Sequence, residues 1–527
     1  MSTVADASTT VPPPEVAAGK LQAGALGLRQ VLFLIVTGAA PLAAMVFNVP
    51  VVVLGSGFAA PAAFLVATIV LTIFSVGYIE MARRVSSIGG FYTFITRGLG
   101  PSAGLASGLL IGFCYMIFAA GVAGALGYFA STSFNAWFGI DLPGYVYSFI
   151  GLAIMSAFAF FDIELTAKVL GVALVAEILV LTILGIGILA KGGGPDGIAL
   201  AGLNPANLFD NDAAVQIFGA AAVGIALFGA FWSWVGFEMA PNYAEESKDP
   251  KRIAKIATYA AVIGLGIFYV LMSLMFVSGW GKTGAAQAVA DQFSGKYASA
   301  WYPLADTYVG GGLMFMFELL MITSSFACSM AFYNTGARYI FSLSREGILP
   351  AKFSQTHEKH HSPHYAALAV TVIVGLWMGA FTISYPATLD SLLKLATWTP
   401  LMGVLGILGV QALCSFAIIA YFRREASDGF HWWKTGLAPF LGGIGQMGAM
   451  YLLVDGRATL GGAADAAFIK YFAPAVLLIF LAGAGYALFL RTAKPATYAN
   501  IGAFEADAPM IEEPLHGTHH KPGTATA

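Results

Sequence analysis

Three carboxylates stand where hydrocarbon would be expected. Glu177, Glu238 and Glu318 each interrupt a long apolar run, and Asp162 and Glu164 lie at the end of another. A bare carboxylate in a bilayer interior costs several kcal/mol, so such a group is neutral, paired or set in a wet cavity. A carboxyl removed from water also binds a proton more readily. Glu177, in Val175-Ala176-Glu177-Ile178-Leu179, reads as a proton-binding carboxylate or as a structural bond to a neighbouring helix. Glu238 reads as a partner for an ammonium group or as a lock on its own segment. Glu318 reads as a polar lining residue, with Phe317 beside it, or as an interhelical contact. Ahead of Glu238 lie Phe231, Trp232, Trp234 and Gly236. A cation over such a ring gains about 0.5–2 kcal/mol; the bland alternative is packing. Tyr115 and Phe118 are further aromatic candidates. A second unusual run, Thr37-Gly38-Ala39-Ala40-Pro41, puts a proline in mid-segment, which removes an amide donor and clashes with the preceding turn.

The elements that must carry these groups follow from composition. The chain has 527 residues, 58% of them hydrophobic and 10% charged, and its mean hydropathy is +0.77. An ordinary soluble domain is about 25% charged. Disorder, a disulfide-stapled module and an ordinary soluble enzyme are excluded, and a net charge of -2 argues against a nucleic-acid partner. Cys114, Cys328 and Cys414 sit in apolar stretches and read as small hydrophobes. Apolar runs fall near 31–54, 58–82, 101–130, 144–161, 168–190, 213–237, 256–279, 310–341, 365–385, 390–421, 434–454 and 468–490. A span needs roughly 20 residues, and the backbone in lipid must satisfy its own hydrogen bonds, so these predict an all-α integral membrane protein of twelve transmembrane helices. With a cytoplasmic N-terminus, alternating sides leaves only Lys191, Lys282, Lys296, Lys394, Arg457 and Lys470 outside, and the remaining 20 of 26 basic residues inside. Residues 1–28 and 491–527 read as flexible cytoplasmic tails, and no signal peptide is expected. Residues 29–190 hold spans one to five, 213–421 spans six to ten, and 434–490 the last two.

The two unusual runs then occupy matching places, each first in a set of five spans. A pair of interrupted helices so placed is the sequence pointer to an inverted-repeat transporter, in which half-helix ends expose amides and carbonyls to a solute at the bilayer midplane.

Three motifs carry a family resemblance. Gly236-Phe237-Glu238 followed by Glu245-Glu246-Ser247-Lys248-Asp249-Pro250-Lys251-Arg252 and Ala257 resembles the sixth-span signature of the amino acid–polyamine–organocation (APC) transporters. Ile88-Gly89-Gly90-Phe91-Tyr92 with Gly98-Leu99-Gly100, and Asn334-Thr335-Gly336-Ala337-Arg338-Tyr339 with Ser344-Arg345-Glu346-Gly347-Ile348-Leu349-Pro350, agree with it. The resemblance covers residues 25–490 and implies a five-plus-five inverted-repeat fold, two extra C-terminal helices and alternating access. Family members carrying α-amino acids usually have a Gly-Ser-Gly-like run in the first break; Ala40-Pro41-Leu42 stands there instead and is similar to some amine carriers. In several proton-coupled relatives a lysine occupies the place of Glu177.

The expected activity is uptake of a small amino acid or related amine across the cytoplasmic membrane, coupled to H+, with Na+ coupling, exchange, or polyamine and organic amine transport as rivals of the same fold. Candidate binding residues are Thr37, Gly38, Ala39, Ala40, Pro41, Tyr115, Phe118, Phe231, Trp232, Trp234, Gly236, Glu238, Phe317 and Glu318, with Glu177 for coupling. No catalytic group, metal or cofactor is expected: His357, His360, His361 and His364 read as a solvated connector, and His516, His519 and His520 as part of a solvated tail.

Overall fold

The computed structural model describes residues 24, 26–85, 89–159, 163–209, 223–244, 246–357, 362–385, 389–457 and 469–502. Asp162, Glu245, His360 and His361, the first ten residues of the sixth apolar run, and the tails at 1–23 and 503–527 lie outside that description. The described residues are helical, with no strand beyond two isolated bridges, Leu26 to Ser247 and Gly194 to Gly197. In chain order the helices are α1 Leu28–Ala39, α2 Pro41–Ala43, α3 Val49–Ser56, α4 Ala60–Arg84, α5 Phe91–Leu99, α6 Pro101–Phe138, α7 Gly144–Phe158, α8 Ile163–Ala190, α9 Val223–Trp232, α10 Pro250–Trp280, α11 Lys282–Phe293, α12 Trp301–Tyr308, α13 Gly311–Arg345, α14 His364–Ser384, α15 Leu389–Arg424, α16 Ala438–Gly456, α17 Phe472–Ala493 and α18 Pro495–Ala499.

Ten helical stretches among the described residues are long and apolar enough to cross a membrane. One of them, Leu28–Arg84, holds both the first and second apolar runs in 57 residues. Laid end to end at 1.5 Å per residue, 57 helical residues would extend about 85 Å, well over one hydrocarbon thickness, and the run is divided at Ala40 and again at Gly57–Ala59. The fourth run appears as α7, only 15 residues.

Burial separates the helices by role. The outward residues of α14, Leu368, Val372, Leu376 and Ile383, form a stripe at helical spacing, and α17 exposes Leu477, Leu478, Leu481, Leu488 and Phe489. Apolar surface on the outside is what a lipid solvent selects. α6 is buried along most of its length and packs on α5, α7, α13, α15 and α17. Its small residues allow that approach: a Cβ at Gly121 would lie 2.8 Å from Pro400, and one at Gly108 2.7 Å from the Tyr92 ring.

Several segments read only as connections or tail are also built into the fold. α5, α11 and α12 are short helices between spans. Within the segment read as a C-terminal tail, α18 is helical, Ile501 is buried, and the Gly502 N–H donates to Tyr92 Oη at 2.9 Å and to Glu346 Oε2 at 3.0 Å.

Candidate functional site

Both unusual runs break their helices. α1 ends at Ala39, and Ala40 takes a left-handed conformation (φ 42°, ψ 77°) before α2 begins at Pro41. Proline suits that first position, where a helix has no use for the amide hydrogen. α2 then passes through a π-helical stretch at Ala44–Asn48 into α3. In the sixth run α9 ends at Trp232, turns occupy 233–236, and a 3-10 helix covers Phe237–Tyr243. Gly236 has φ 124°, a conformation that glycine adopts without a steric penalty. The two breaks touch backbone to backbone. A Cβ at Gly236 would lie 2.8 Å from both the Ala39 nitrogen and the Gly38 carbonyl carbon. Asn48 Nδ2 donates to Ser233 Oγ at 2.9 Å and ties the spans together again.

A helix end leaves amides and carbonyls without partners, and a buried one must find them elsewhere. In the first break Pro41 has no N–H, the Leu42 N–H donates to Glu177 Oε2 at 3.3 Å, and the Ala43 N–H donates to Ser324 Oγ at 3.3 Å. The Gly38 carbonyl accepts from Cys328 Sγ at 3.2 Å and the Ala39 carbonyl from Tyr269 Oη at 3.1 Å. In the sixth break the Gly236 N–H donates to Glu238 Oε2 at 3.1 Å. Tyr115 Oη donates to Glu238 Oε1 at 2.8 Å, and Tyr78 Oη to the Glu238 carbonyl at 2.7 Å. The peptide groups are therefore held by side chains, where bare backbone was the expectation. Each break has one buried carboxylate on its amide: Glu177 reaches the first from α8, and Glu238 serves the sixth from two residues downstream.

A cavity of ≈ 30 Å³ lies beside the first break, against α6 and α13, and the sixth span reaches it through Trp232, the last residue of α9. That is room for very few water molecules. Gly38, Ala39, Ala40 and Trp232 line it, together with Asn48, Ser325, Cys328 and Phe332. Trp232 stacks on Phe332 (centroids 5.6 Å apart) and leans on Phe118 at 4.5 Å. Ser325 Oγ, in the cavity wall, and the buried Thr37 Oγ1 have no hydrogen-bond partner among the described residues.

Other candidates lie elsewhere. Trp234 faces away from the cavity, packing on Tyr269 and Phe64 and donating to the Val262 carbonyl at 3.3 Å. Phe317 stacks on Trp301. Phe231 is buried and absent from the cavity wall. Glu318 lines a separate cavity of ≈ 600 Å³ with Tyr128, Tyr302, Asp306 and Asp390, and accepts from Trp137 Nε1 at 2.7 Å.

Contacts hold the segments together on either side of the central site. Toward α3, Trp301 Nε1 donates to the Met45 carbonyl at 2.8 Å. Toward the chain start, the Leu26 N–H donates to the Glu246 carbonyl, the Lys248 N–H to the Leu26 carbonyl, and buried Arg338 grips Glu246 through two nitrogens, the shorter contact 2.7 Å.

Sequence reading missed Met321, Ser325, Cys328 and Phe332, which share one face of α13 at spacings of 4, 3 and 4. A hydroxyl and a thiol on one stripe of the span, with Met321 and Phe332, was the available signal.

Comparison with known proteins gives the family. A family model described as amino acid permease matches residues 26–501. A vacuolar cationic amino acid transporter of Arabidopsis thaliana is 24% identical over 52% of this chain and 48% of its own, so the chain spans about half of that relative. A branched-chain amino acid permease of Bacillus subtilis is 23% identical over 79% and 84% of the two chains. A low-affinity putrescine importer of Escherichia coli is 25% identical over 59% and 65%. The family match runs from Leu26 through both broken helices to the last described turn, and this multi-pass membrane chain belongs to the amino acid permease (APC) family.

Proposed function

We propose that the protein is a secondary active transporter that imports a small amino acid or related amine across the cytoplasmic membrane by alternating access, coupled to H+. The observation that carries this reading is the direct contact of two broken helices beside a small cavity, with a buried carboxylate on an amide of each break. We count twelve spans: the ten apolar stretches, the 57-residue one counted twice, and α7. Five and five form the inverted repeat, two follow, and both termini are cytoplasmic, in keeping with the basic-residue bias.

Glu177 is the coupling group of this mechanism. A charge-assisted hydrogen bond is roughly twice as strong as a neutral one. Protonating Glu177 weakens its hold on the Leu42 N–H and frees the outer half of the first span to move. Solute then enters beside Trp232 and Phe332, the Arg338–Glu246 contact opens, and the solute leaves on the cytoplasmic side. An organic amine is a second reading with its own support. The Leu42 and Gly236 amides, which would otherwise receive a substrate carboxylate, already hold protein carboxylates.

Uptake into proteoliposomes under an imposed pH gradient tests the coupling. Saturable uptake that rises with inward proton drive and survives removal of sodium is expected; indifference to the gradient removes the proton, and dependence on sodium replaces it. Thermal melts against amino acids and amines test the substrate class, since a ligand that binds only the folded form raises the melting temperature. Protection by amines alone favours the second reading.

A further inference from the structure

A second surface site lies far along the chain from the breaks. Where α15 ends and α16 begins, a groove of ≈ 700 Å³ opens at the end of two membrane helices. Its apolar wall includes Phe416, Ile419 and Phe440, and its rim carries Trp432, 66% exposed. Arg423 and Arg424, the last residues of α15, complete the lining.

The charges around this groove divide into two groups. Arg84 pairs with Asp428 at 3.4 Å, Arg83 with Glu80 at 3.3 Å, and Lys434 with Glu80 at 3.8 Å. Arg423 and Arg424 have no ion pair among the described residues, although Glu425 is their neighbour in sequence; the Arg423 guanidinium stands 6.0 Å over the Phe430 ring. Two exposed cations therefore face a cavity whose other walls are hydrocarbon. A soluble anion would have no use for those walls, and a neutral lipid none for the cations. An anionic phospholipid satisfies both: guanidinium groups match phosphate oxygens in a bidentate fork, and basic grooves between spans at the membrane surface suit acidic head groups. An exposed tryptophan belongs at the same head-group level.

We propose that this groove binds one anionic phospholipid, its phosphate on Arg423 and Arg424 and an acyl chain along Phe416, Ile419 and Phe440. The lipid would bridge α15 to α16. Because α15 packs on α6, which carries Tyr115 and Phe118, occupancy would brace the scaffold behind the central site.

Native mass spectrometry of the full-length protein in detergent, with equal phosphatidylglycerol and phosphatidylcholine, tests this. The expected result is one phosphatidylglycerol retained in preference to phosphatidylcholine. In the Arg423→Gln/Arg424→Gln double variant the preference falls about thirtyfold, as two charges worth about 1 kcal/mol each would dictate. Arg83→Gln, which removes an already paired cation, leaves it unchanged, and an unshifted melting temperature in phosphatidylcholine shows that the double variant is folded. Equal retention of both lipids by the unaltered protein, or full preference in the folded double variant, overturns the proposal. Displacement of the lipid by equimolar glycerol phosphate also overturns it, in favour of a soluble phosphate.

Discussion

The two broken helices solve one problem in different ways. In the sixth span the break spans the turn residues 233–236 and ends on a glycine, so the backbone turns at no steric cost, and Glu238 caps the freed amide from its own segment. In the first span the break is the single residue Ala40, which is the one non-glycine residue at positive φ among those described. A left-handed alanine costs roughly 1–2 kcal/mol. Its amides are capped from outside, by Glu177 on α8 and Ser324 on α13. A self-capped break keeps its shape while neighbours move. A strained break capped by other helices responds when those helices shift or when the cap changes charge. On the proposed mechanism the first span is therefore the responsive half, while the sixth keeps its cap on its own segment with Tyr115 and Tyr78 anchoring it.

The largest expected effect comes from closing the space between them. Gly236→Ala places a methyl 2.8 Å from the first break at a backbone angle alanine resists. Strain and overpacking together cost about 2–4 kcal/mol, so the melting temperature should drop and proteoliposome uptake should fall more than about tenfold. Gly264→Ala, in α10 with open space around it, should stabilise by about 0.5–1 kcal/mol. Equal behaviour of the two variants would deny that the breaks press on each other.

Next are two replacements of Glu177. Glu177→Leu leaves the buried Leu42 N–H without its acceptor and should cost about 1–3 kcal/mol in thermal or denaturant melts. Glu177→Gln keeps an acceptor oxygen, so it should fold close to normally while uptake loses its response to a pH gradient. A Gln variant that still follows the gradient would move the coupling proton elsewhere.

Tyr115→Phe should be milder. It removes one hydrogen bond to a buried carboxylate that keeps the Gly236 amide, for a loss of about 1–2 kcal/mol measured by the melt. Combined with Glu238→Gln, the two should be less than additive, because both act on one contact. Full additivity would separate Tyr115 from the sixth break.

The smallest effect is expected from Ala40→Gly. Relief of the left-handed strain gains roughly 1 kcal/mol, partly offset by the greater freedom of glycine in the unfolded chain. A slight rise in melting temperature with retained uptake fits a strained break. A fall would show that the Ala40 side chain does more than tolerate its angle.

Much of this was legible in residue order. Pro41 and the Gly229 to Gly236 stretch marked both interruptions, because proline lacks an amide and glycine lacks a Cβ. Glu177 and Glu238 stood out because charge is rare among hydrocarbon. The aromatic candidates were less legible. Trp232 and Trp234 are two residues apart, and only the turns at 233–236 decide that one faces the cavity and the other the α4 and α10 helices. Glu318 resembled Glu238 as an isolated acid in an apolar span. Its depth along α13 puts it in the larger cavity with Asp306 and Asp390, away from the breaks.

By itself the sequence determined that the chain lives in a bilayer, where its helices are interrupted and which acids must find partners there. These are local matters of hydropathy, ring closure and desolvation, and each can be read one residue type at a time. Only the tertiary structure decided that Glu177 caps a helix end 135 positions away and that the two breaks meet at Gly38 and Gly236. Such pairings depend on the rotation and depth of each packed helix. Those are set by the fit of many small and large side chains across several neighbours at once, a property that no single stretch of residues contains.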